Sequence, residues 1–357
     1  MALACLLSAA GAAGALAGQG QRPANVAVFP VENLSGGSVP ADETRQFVMD
    51  TLAGAGVRVL SVADLDAFMT RHRVRYAAGI DAATAEALRK EAGVDGALFV
   101  SVELSSEAVP PKVALIARLV SLEGTPLVVW ADDAGMAGDD APGLFERGLV
   151  NDYQALLGKA LGRLARSLLG YLQGGEAETR VKAASKFRPR TAYRVLTLEE
   201  GRPYTVAVVP FVNISERRNA GELLAALFTR HLSALEPFRV VDAGVTRQRL
   251  LDARVIMDGG ISLSDAGTVA ALLDADFVLG GRVIRYQDYE GPAGLARVEF
   301  STVVIERQSR KVVWSSDSYN EGTDGVHFFE RGTTRTAHAM ATQMVGIAAG
   351  MIAGRDR

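Results

Sequence analysis

The sequence has few of the residues from which disulfide, metal and nucleophile sites are built. Its 357 residues include one cysteine, Cys5, and four histidines. A single cysteine excludes a disulfide within the chain, and no two histidines have the spacing of metal ligands. The patterns G-x-S-x-G, H-E-x-x-H and the Walker A loop are also missing. We therefore expect a protein that is not an enzyme, with no catalytic residue, no cofactor and no metal.

Neither sign of charge dominates the chain. Its 38 basic and 41 acidic residues give a formal net charge of -3, which provides no whole-protein attraction to nucleic acid. Hydrophobic residues make up 48% and charged residues 22%, as is typical of globular proteins. The length suits two domains of ordinary size.

The first residues resemble an export signal. Met1–Ala17 is apolar and rich in small residues, and Ala15–Ala17 has the A-x-A pattern of a cleavage site. The sequence therefore predicts a signal peptide over residues 1–17, although no basic residue precedes the apolar run and a start further upstream is left open. Ala2–Cys5 loosely resembles a lipobox, which would place a lipid on Cys5. The apolar residues after Cys5 favour the cleaved signal.

Two stretches 180 residues apart begin alike. Val26–Ser35 and Val206–Ser215 are each a nearly all-apolar run that ends in Pro and continues to an Asn and a Ser. Such a run is typical of a strand buried on both faces. The Pro marks the end of pairing, and the Asn begins a turn. This repetition suggests a duplicated unit.

Further matches follow in the same order at offsets of 181 to 184 residues. They include Val128–Trp130 with Val312–Trp314, and Phe145–Gly148 with Phe329–Gly332. Because both tryptophans of the chain fall at equivalent positions, we interpret the chain as a tandem duplication. We expect each Trp to pack in a core beneath the final helix of its unit.

The same element order, βαβααβββα, is predicted for both units. The fold class is therefore α/β, with two tandem α/β sandwich domains that each have a mixed sheet covered by helices. The predicted domains are 25–172 and 204–353, with final helices at about 142–172 and 325–353. Residues 173–203 are a charged linker whose basic residues could hold a phosphate or an acidic partner surface. We favour a solvated tether.

Several residues that resemble sites have ordinary explanations. The acid pairs Asp132-Asp133 and Asp139-Asp140 lack the spacing of a calcium loop and are predicted to be loop acids. His231 and His338 lie in predicted helices, where surface or partly buried structural roles are expected. Gly280-Gly281 lies inside a predicted strand, where close approach of another part of the chain explains it.

Three stretches of the second half carry a family resemblance. They are Val206–Ser215, Ala275–Val283, and Val313–Ser315 with Tyr319. In this order they resemble the domain at the amino terminus of TolB-type proteins and in curli-channel (CsgG), FlgO and LpoB relatives. The resemblance spans about residues 204–353. The first copy matches less well, since it lacks the two glycines found at 280 and 281.

The resemblance implies a non-catalytic protein-binding or assembly component of the bacterial cell envelope. Its partners would be other envelope proteins or further copies of itself, without nucleic acid, and it could contact a membrane without spanning it. The implied location is the periplasm, free or attached to the outer membrane. The alternative is a subunit of a CsgG-like outer-membrane secretion channel, which needs long amphipathic hairpins. Joining segments such as Glu123–Pro126 are too short to supply them.

The loops that follow the first strand of each unit are where we expect partner contacts, because loops carry most binding residues. These loops are Asn33–Pro40 and Asn213–Asn219. The candidate contact residues are Asn33, Ser35, Asn213, Ser215 and Arg217.

Overall fold

The computed structural model describes residues 22–140, 149–175, 185–255, 263–288, 295–325 and 333–355. The elements of the first half are β1 (Asn25–Val28), β2 (Glu32–Asn33), α1 (Ala41–Gly54), β3 (Arg58–Val59), α2 (Val62–Arg71), α3 (Ala82–Ala92), β4 (Gly96–Ser106), β5 (Lys112–Ser121), β6 (Leu127–Ala137) and α4 (Tyr153–Leu172). Those that follow are β7 (Thr191–Arg194), β8 (Tyr204–Val208), β9 (Val212–Asn213), α5 (Ala220–Ser233), β10 (Phe238–Val240), α6 (Ala243–Asp252), α7 (Leu263–Leu273), β11 (Phe277–Gln287), β12 (Arg297–Glu306), β13 (Val312–Glu321) and α8 (Ala337–Ile352).

Each half contains one mixed sheet. The first sheet has the order β3-β1-β4-β5-β6, with β2 beside β4, and the second has the order β10-β8-β11-β12-β13-β7, with β9 beside β11. The opening strands β1 and β8 are parallel to both neighbours, whereas β4–β6 and β11–β13 are antiparallel meanders. The predicted fold class, two α/β domains with mixed sheets packed against helices, is confirmed.

Each tryptophan lies in a core beneath a final helix, as the sequence predicts. Trp130 packs with the apolar stripe of α4, and its Nε1 donates to Ser167 Oγ at 3.3 Å. Trp314 packs with α8. The opposite face of α4 is exposed at Lys159 and Arg163, so this helix is docked on the sheet. Among the described residues, no helix is long and apolar enough to cross a membrane.

The glycine pair of β11 permits a close approach, as predicted. A Cβ at Gly281 would come within 2.7 Å of the Phe211 ring and 2.0 Å of the Ser301 carbonyl oxygen. The Phe211 ring in turn stacks on Phe228 of α5 at 5.4 Å. Only glycine lets the loop after β8 lie this close to the sheet.

The two sheets depart from regular pairing at matching places. One extra residue bulges from β4 at Glu103 and from β11 at Ile284. Another bulges from β6 at Val129 and from β13 at Val313. These bulges follow the offsets of the sequence repeat. The duplication itself stays an interpretation.

The tether prediction for the linker is wrong for residues 185–198. Strand β7 pairs antiparallel with β13 and forms the edge of the second sheet. Phe187 and Leu196, 1% and 3% exposed, belong to the hydrophobic core. These two apolar residues flank the charged residues of the segment. Burial of the two apolar side chains fixes the segment on the sheet. The predicted boundaries of the two domains stay predictions.

Other predicted bounds need correction as well. The helix α4 begins after its N-cap Asp152, whose side chain accepts from Ala155 N at 2.6 Å, and α8 begins after the N-cap Thr336. Strand β6 continues to Ala137 and so includes Asp132 and Asp133, which are predicted to be loop acids. The predicted signal peptide with Cys5, and the twin stretches 145–148 and 329–332, lie outside the described residues.

The buried linker residues can be tested by truncation. We expect Phe187→Ala to lower the free energy of unfolding by about 3–5 kcal/mol, because it removes a buried aromatic side chain. The matched control Val195→Ala removes an apolar side chain that is 54% exposed, and its effect should stay within about 0.5 kcal/mol. Urea unfolding of the three proteins measures both. Equal stability of the Phe187 variant and the parent would show a solvated tether.

Candidate functional site

The two halves meet along α5, a helix of the second half that is buried on nearly all sides. Phe228 packs edge-on against Phe300 of the second sheet, while Arg230 reaches the first half and binds Asp132. Beside α5, Leu127 of β6 forms an isolated antiparallel bridge with Val241. The edge of the first sheet therefore lies against the second half.

Arg230 binds two neighbouring acids of β6. Its Nη2 lies 2.9 Å from Asp132 Oδ1, and its Nε lies 2.8 Å from Asp133 Oδ1. All three residues are buried. The prediction that Asp132 and Asp133 are loop acids is wrong, because the strand continues through them and the second half supplies their counter-charge.

His338, in the first turn of α8, lies between two carboxylates of the first half. Its Nε2 is 2.9 Å from Asp133 Oδ2, and its Nδ1 faces Glu103 Oε2. The Tyr286 hydroxyl donates to the other oxygen of Glu103. His338 is 1% exposed, so the expected surface or partly buried position is wrong for it. We call Glu103, Asp132, Asp133, Arg230 and His338 the charge cluster.

The ring of His338 fits because the residue of β6 beneath it is a glycine, Gly135, which has no side chain. A Cβ at Gly135 would lie 2.3 Å from His338 Cδ2, well inside contact distance. Any larger residue would push the ring away from Asp133. A glycine in β6 therefore places the imidazole between its two acceptors.

The pKa values of the cluster follow from this geometry. Burial lowers the pKa of His338, but Glu103 and the hydrogen bonds to both carboxylates outweigh it and raise that pKa to about 10. Burial raises the pKa of Asp133, but the hydrogen bond from His338 and the charge of Arg230 bring it well below its ordinary value. Both groups are therefore charged at neutral pH, and His338 donates from both nitrogens.

His231 is also buried, so the expected surface or partly buried position is wrong for it too, but its charge state differs from that of His338. Burial and the neighbouring Arg230 lower the pKa of His231 to about 3. Its Nδ1 lies 2.9 Å from Arg230 Nη1, and because a guanidinium only donates, Nδ1 must accept. The Nε2 proton then points to Thr342 Oγ1 at 3.1 Å. His231 is a neutral imidazole at physiological pH.

A second polar contact joins the halves at the N-terminus of α6. The buried N-cap Asp242 accepts from Gly244 N at 2.9 Å and from Ile80 N at 2.8 Å. Arg118 of β5 donates to its other oxygen at 3.0 Å. A Cβ at Gly244 would lie 2.2 Å from Ile80 N, so the two backbones touch. This carboxylate caps a helix and binds the opposite half at once.

The charge cluster is closed to solvent, which limits its chemistry. A substrate could reach His338 or Glu103 only if the halves separated. In the described ranges, no three or more His, Cys, Asp or Glu residues are arranged to hold a metal ion. This geometry supports a structural role for the charge cluster, which is to hold the two halves together.

The two predicted contact loops have the same turn. Asn33 Oδ1 accepts from Ser35 N at 3.0 Å, and its Nδ2 donates to Gly37 O at 2.7 Å. In the second half, Asn213 Oδ1 accepts from Ser215 N at 3.0 Å, and Asn213 Nδ2 donates to Arg217 O at 2.7 Å. Both asparagines are exposed.

Arg217 connects the two loops. Its Nη1 donates to Ser35 O at 2.9 Å, and its Nη2 donates to the Glu103 carbonyl oxygen. The five candidate contact residues therefore fall on one continuous surface, which we call the loop surface. It also carries Ile214, an apolar side chain that is 58% exposed.

Sequence reasoning missed the charge cluster. The available signal was Arg230-His231 on a helix in which residues 223–228 are all apolar and Leu232 follows. Charged residues in such a position are rare unless they are paired. The adjacent acids at 132 and 133 gave the complementary signal, but no local pattern joins residues about one hundred positions apart.

Comparison with known proteins gives structural likeness alone. No protein-family model and no curated protein matches the chain. The PelC dodecamer structure from Paraburkholderia phytofirmans has a TM-score of 0.32 and 20% identity, over 47% of this chain and 96% of that one. Lipoprotein GNA1162 from Neisseria meningitidis has a TM-score of 0.30 and 22% identity, over 41% and 99%. The LpoB C-terminal domain from Salmonella enterica has a TM-score of 0.27 and 20% identity, over 32% and 82%.

Removing the imidazole should be costly. We expect His338→Leu to lower the free energy of unfolding by about 3–5 kcal/mol at neutral pH, because Glu103 is left buried without a counter-charge and Asp133 keeps only Arg230. The control is His72→Leu, at a half-exposed histidine that pairs with Glu91 at 2.7 Å, where the loss should be about 1 kcal/mol or less. Equilibrium urea unfolding gives both values, and equal losses would contradict a buried imidazolium.

Stability should fall on both sides of neutral pH. The folded pKa of His231 is about 3, so its contribution is present above the unfolded value of about 6.5 and is lost as the pH falls toward 3. The folded pKa of His338 is about 10. Its contribution is therefore present below about 6.5 and is lost as the pH rises toward 10.

Urea midpoints at about pH 5, 7 and 9 measure both limbs of this curve. His231→Gln keeps a neutral hydrogen-bonding side chain beside Arg230 and Thr342, so it should flatten the acid limb and leave the alkaline limb unchanged. An acid limb identical to that of the parent would show that His231 is not held neutral.

Proposed function

We propose that this protein is a non-catalytic protein-binding and assembly component of the bacterial cell envelope, acting in the periplasm or at the inner face of the outer membrane. The observation that carries the proposal is the loop surface. Two loops with the same turn, 180 residues apart in sequence, are joined into one surface by Arg217. The motifs that resemble envelope proteins support the location.

The loop surface is organised before any partner arrives. Each asparagine closes its own turn, and Arg217 is bonded to both the first loop and the strand that carries Glu103. A surface that is already ordered loses less conformational entropy on binding. Ile214 would be the apolar anchor at its centre, and a binding site of this kind needs no reacting group.

The proposed partners are other envelope proteins, with self-association as the alternative. The protein is produced in bacterial cells with a photo-crosslinking amino acid at position 214. Irradiation of the intact cells would then crosslink the chain to whatever covers the loop surface. A product with twice the mass of the chain indicates self-association, and any other product indicates a different protein. No product at 214 beyond that of a control position would count against the proposal.

A matched pair of substitutions tests the surface itself. Ile214→Asp should reduce crosslinking from position 35 by at least about tenfold, since a charge at a central anchor position disrupts binding. The control Leu251→Asp changes a leucine of α6 that is 52% exposed and should leave crosslinking unchanged. Both variants should have the same melting temperature as the parent protein. Retained crosslinking in the Ile214 variant would contradict the proposal.

A further inference from the structure

An open, shallow cavity lies where α2 ends in the first half, and its charged residues are mostly arginine. Its volume is ≈ 500 Å³. The residues that line it are Asp66, Met69, Thr70, Arg73, Val74 and Arg75. Two guanidinium groups against one carboxylate give the cavity a positive potential, which favours an anionic occupant.

The two arginines of this cavity are exposed and lack a counter-charge. Within the described part of the chain, neither Arg73 nor Arg75 forms a side-chain hydrogen bond or an ion pair. The neighbouring Arg71 differs, because it pairs with Glu91 at 3.4 Å. The guanidinium groups of Arg73 and Arg75 are therefore open to a ligand.

A third guanidinium group reaches the same place from the second half. Arg247 of α6 lies over the ring of Tyr76, the residue that follows Arg75, with its Cζ 4.6 Å from the ring centroid. The exposed side chain of Arg247 makes no hydrogen bond or ion pair with the residues that the structure describes. The ring thus positions this guanidinium by a cation–π contact, and its N–H groups stay available as donors.

The acids beside Tyr76 are engaged with other groups. Glu32 and Asp242 are close enough to Tyr76 to raise its pKa through their charges, in addition to burial. Glu32 accepts from Ser101 Oγ at 2.7 Å, and Asp242 accepts from Arg118 at 3.0 Å. Neither carboxylate therefore serves as the counter-ion of the arginines at the cavity.

We propose that Arg73, Arg75 and Arg247 form a site for a phosphate monoester, carried either by a lipid or by a soluble molecule. A phosphate monoester offers three acceptor oxygens and up to two negative charges, whereas a carboxylate offers two oxygens and one charge. Because guanidinium groups bind phosphate bidentately, several of them together favour the phosphate. The inference is independent of the proposed partner binding, because the loop surface contributes no residue to this site.

Calorimetry of the full chain at low salt tests the proposal with two matched probes, glycerol 3-phosphate and glycerate. The phosphate should bind at least about tenfold more tightly than the carboxylate, since it accepts additional charge-assisted hydrogen bonds. Binding of glycerate as tightly as glycerol 3-phosphate would reduce the site to a counter-ion position and overturn the proposal.

Sedimentation with vesicles distinguishes the two sources of the phosphate. Sedimentation of the chain with phosphatidylcholine vesicles that contain phosphatidic acid, and not with phosphatidylcholine alone, indicates a lipid. Binding of glycerol 3-phosphate without sedimentation indicates a soluble molecule. Absence of binding both to glycerol 3-phosphate and to the phosphatidic acid vesicles would overturn the proposal.

A pair of glycine substitutions separates binding from folding. Arg73 and Arg254 each follow a helix end with a left-handed backbone, at φ 54° in both. Glycine adopts this conformation without cost, so thermal melting should show neither variant to be less stable than the parent. Arg73→Gly should weaken binding of glycerol 3-phosphate, or of the phosphatidic acid vesicles, at least about tenfold, while Arg254→Gly, away from the cavity lining, should not change it. Unchanged affinity in the Arg73 variant, or equal losses in both, would contradict the proposal.

The carboxylate of the cavity allows a test of the opposite sign. Asp66 is exposed and lies 4.0 Å from Arg45 Nη1. Asp66→Asn keeps the size of the side chain and removes a charge that repels phosphate. It should therefore tighten binding of the same probe about threefold, as expected for one charge about 6 Å away in water. Unchanged or weaker binding in this variant would contradict a phosphate site at this cavity.

Discussion

A protonated imidazole between two buried carboxylates is the interaction on which the arrangement of the two halves depends. Taking such charges out of water is expensive, and their mutual attraction offsets this only when every charge has a partner. Arg230 and His338 meet this condition together with Glu103, Asp132 and Asp133. We infer that the cluster contributes mainly specificity, because any other approach of the halves would leave a buried charge unpaired.

The first sheet can pack against the second half because the residues on this part of its face have small side chains. Gly135 of β6 pairs with Ala114 of β5, and the ring of His338 rests above the glycine. The corresponding pair of the second sheet is Tyr319 with Glu299. A tyrosine in place of the glycine occupies the volume that a packed imidazole would need. At this position the first sheet therefore receives a residue of α8, whereas the second sheet carries a half-buried tyrosine whose ring lies against Arg190.

Most of the fold follows from local sequence patterns. Apolar runs that end at Pro and Asn predict β1 and β8, and the matching tryptophans predict the cores beneath α4 and α8. The prediction of a loop at residues 132 and 133 is wrong because two adjacent acids interrupt the apolar run of β6. A strand tolerates Asp132 and Asp133 only when counter-charges arrive from elsewhere, and those lie on helices of the other half. Pairing between distant segments has no local signature.

The linker is a second place where local sequence patterns predict the wrong structure. Its charges favour a solvated tether, whereas two apolar residues, Phe187 and Leu196, decide its position. Burying an aromatic side chain outweighs the weak preference of exposed charges for a free chain. Loop chemistry was easier to predict, because an Asn followed by Ser closes its turn with neighbouring atoms alone. The turns at Asn33 and Asn213 were therefore predictable from the sequence, although the connection of the two loops by Arg217 was not.

One bulge connects the charge cluster with the loop surface. The extra residue in β4 is Glu103, whose carboxylate faces His338 and whose carbonyl oxygen accepts from Arg217. A bulge turns one residue out of the regular alternation of the strand and re-aims its side chain. The equivalent bulge in β11 carries Ile284, which is exposed. The bulge at Glu103 thus contacts His338 and Arg217 of the second half. The bulge at Ile284 instead presents an exposed apolar side chain.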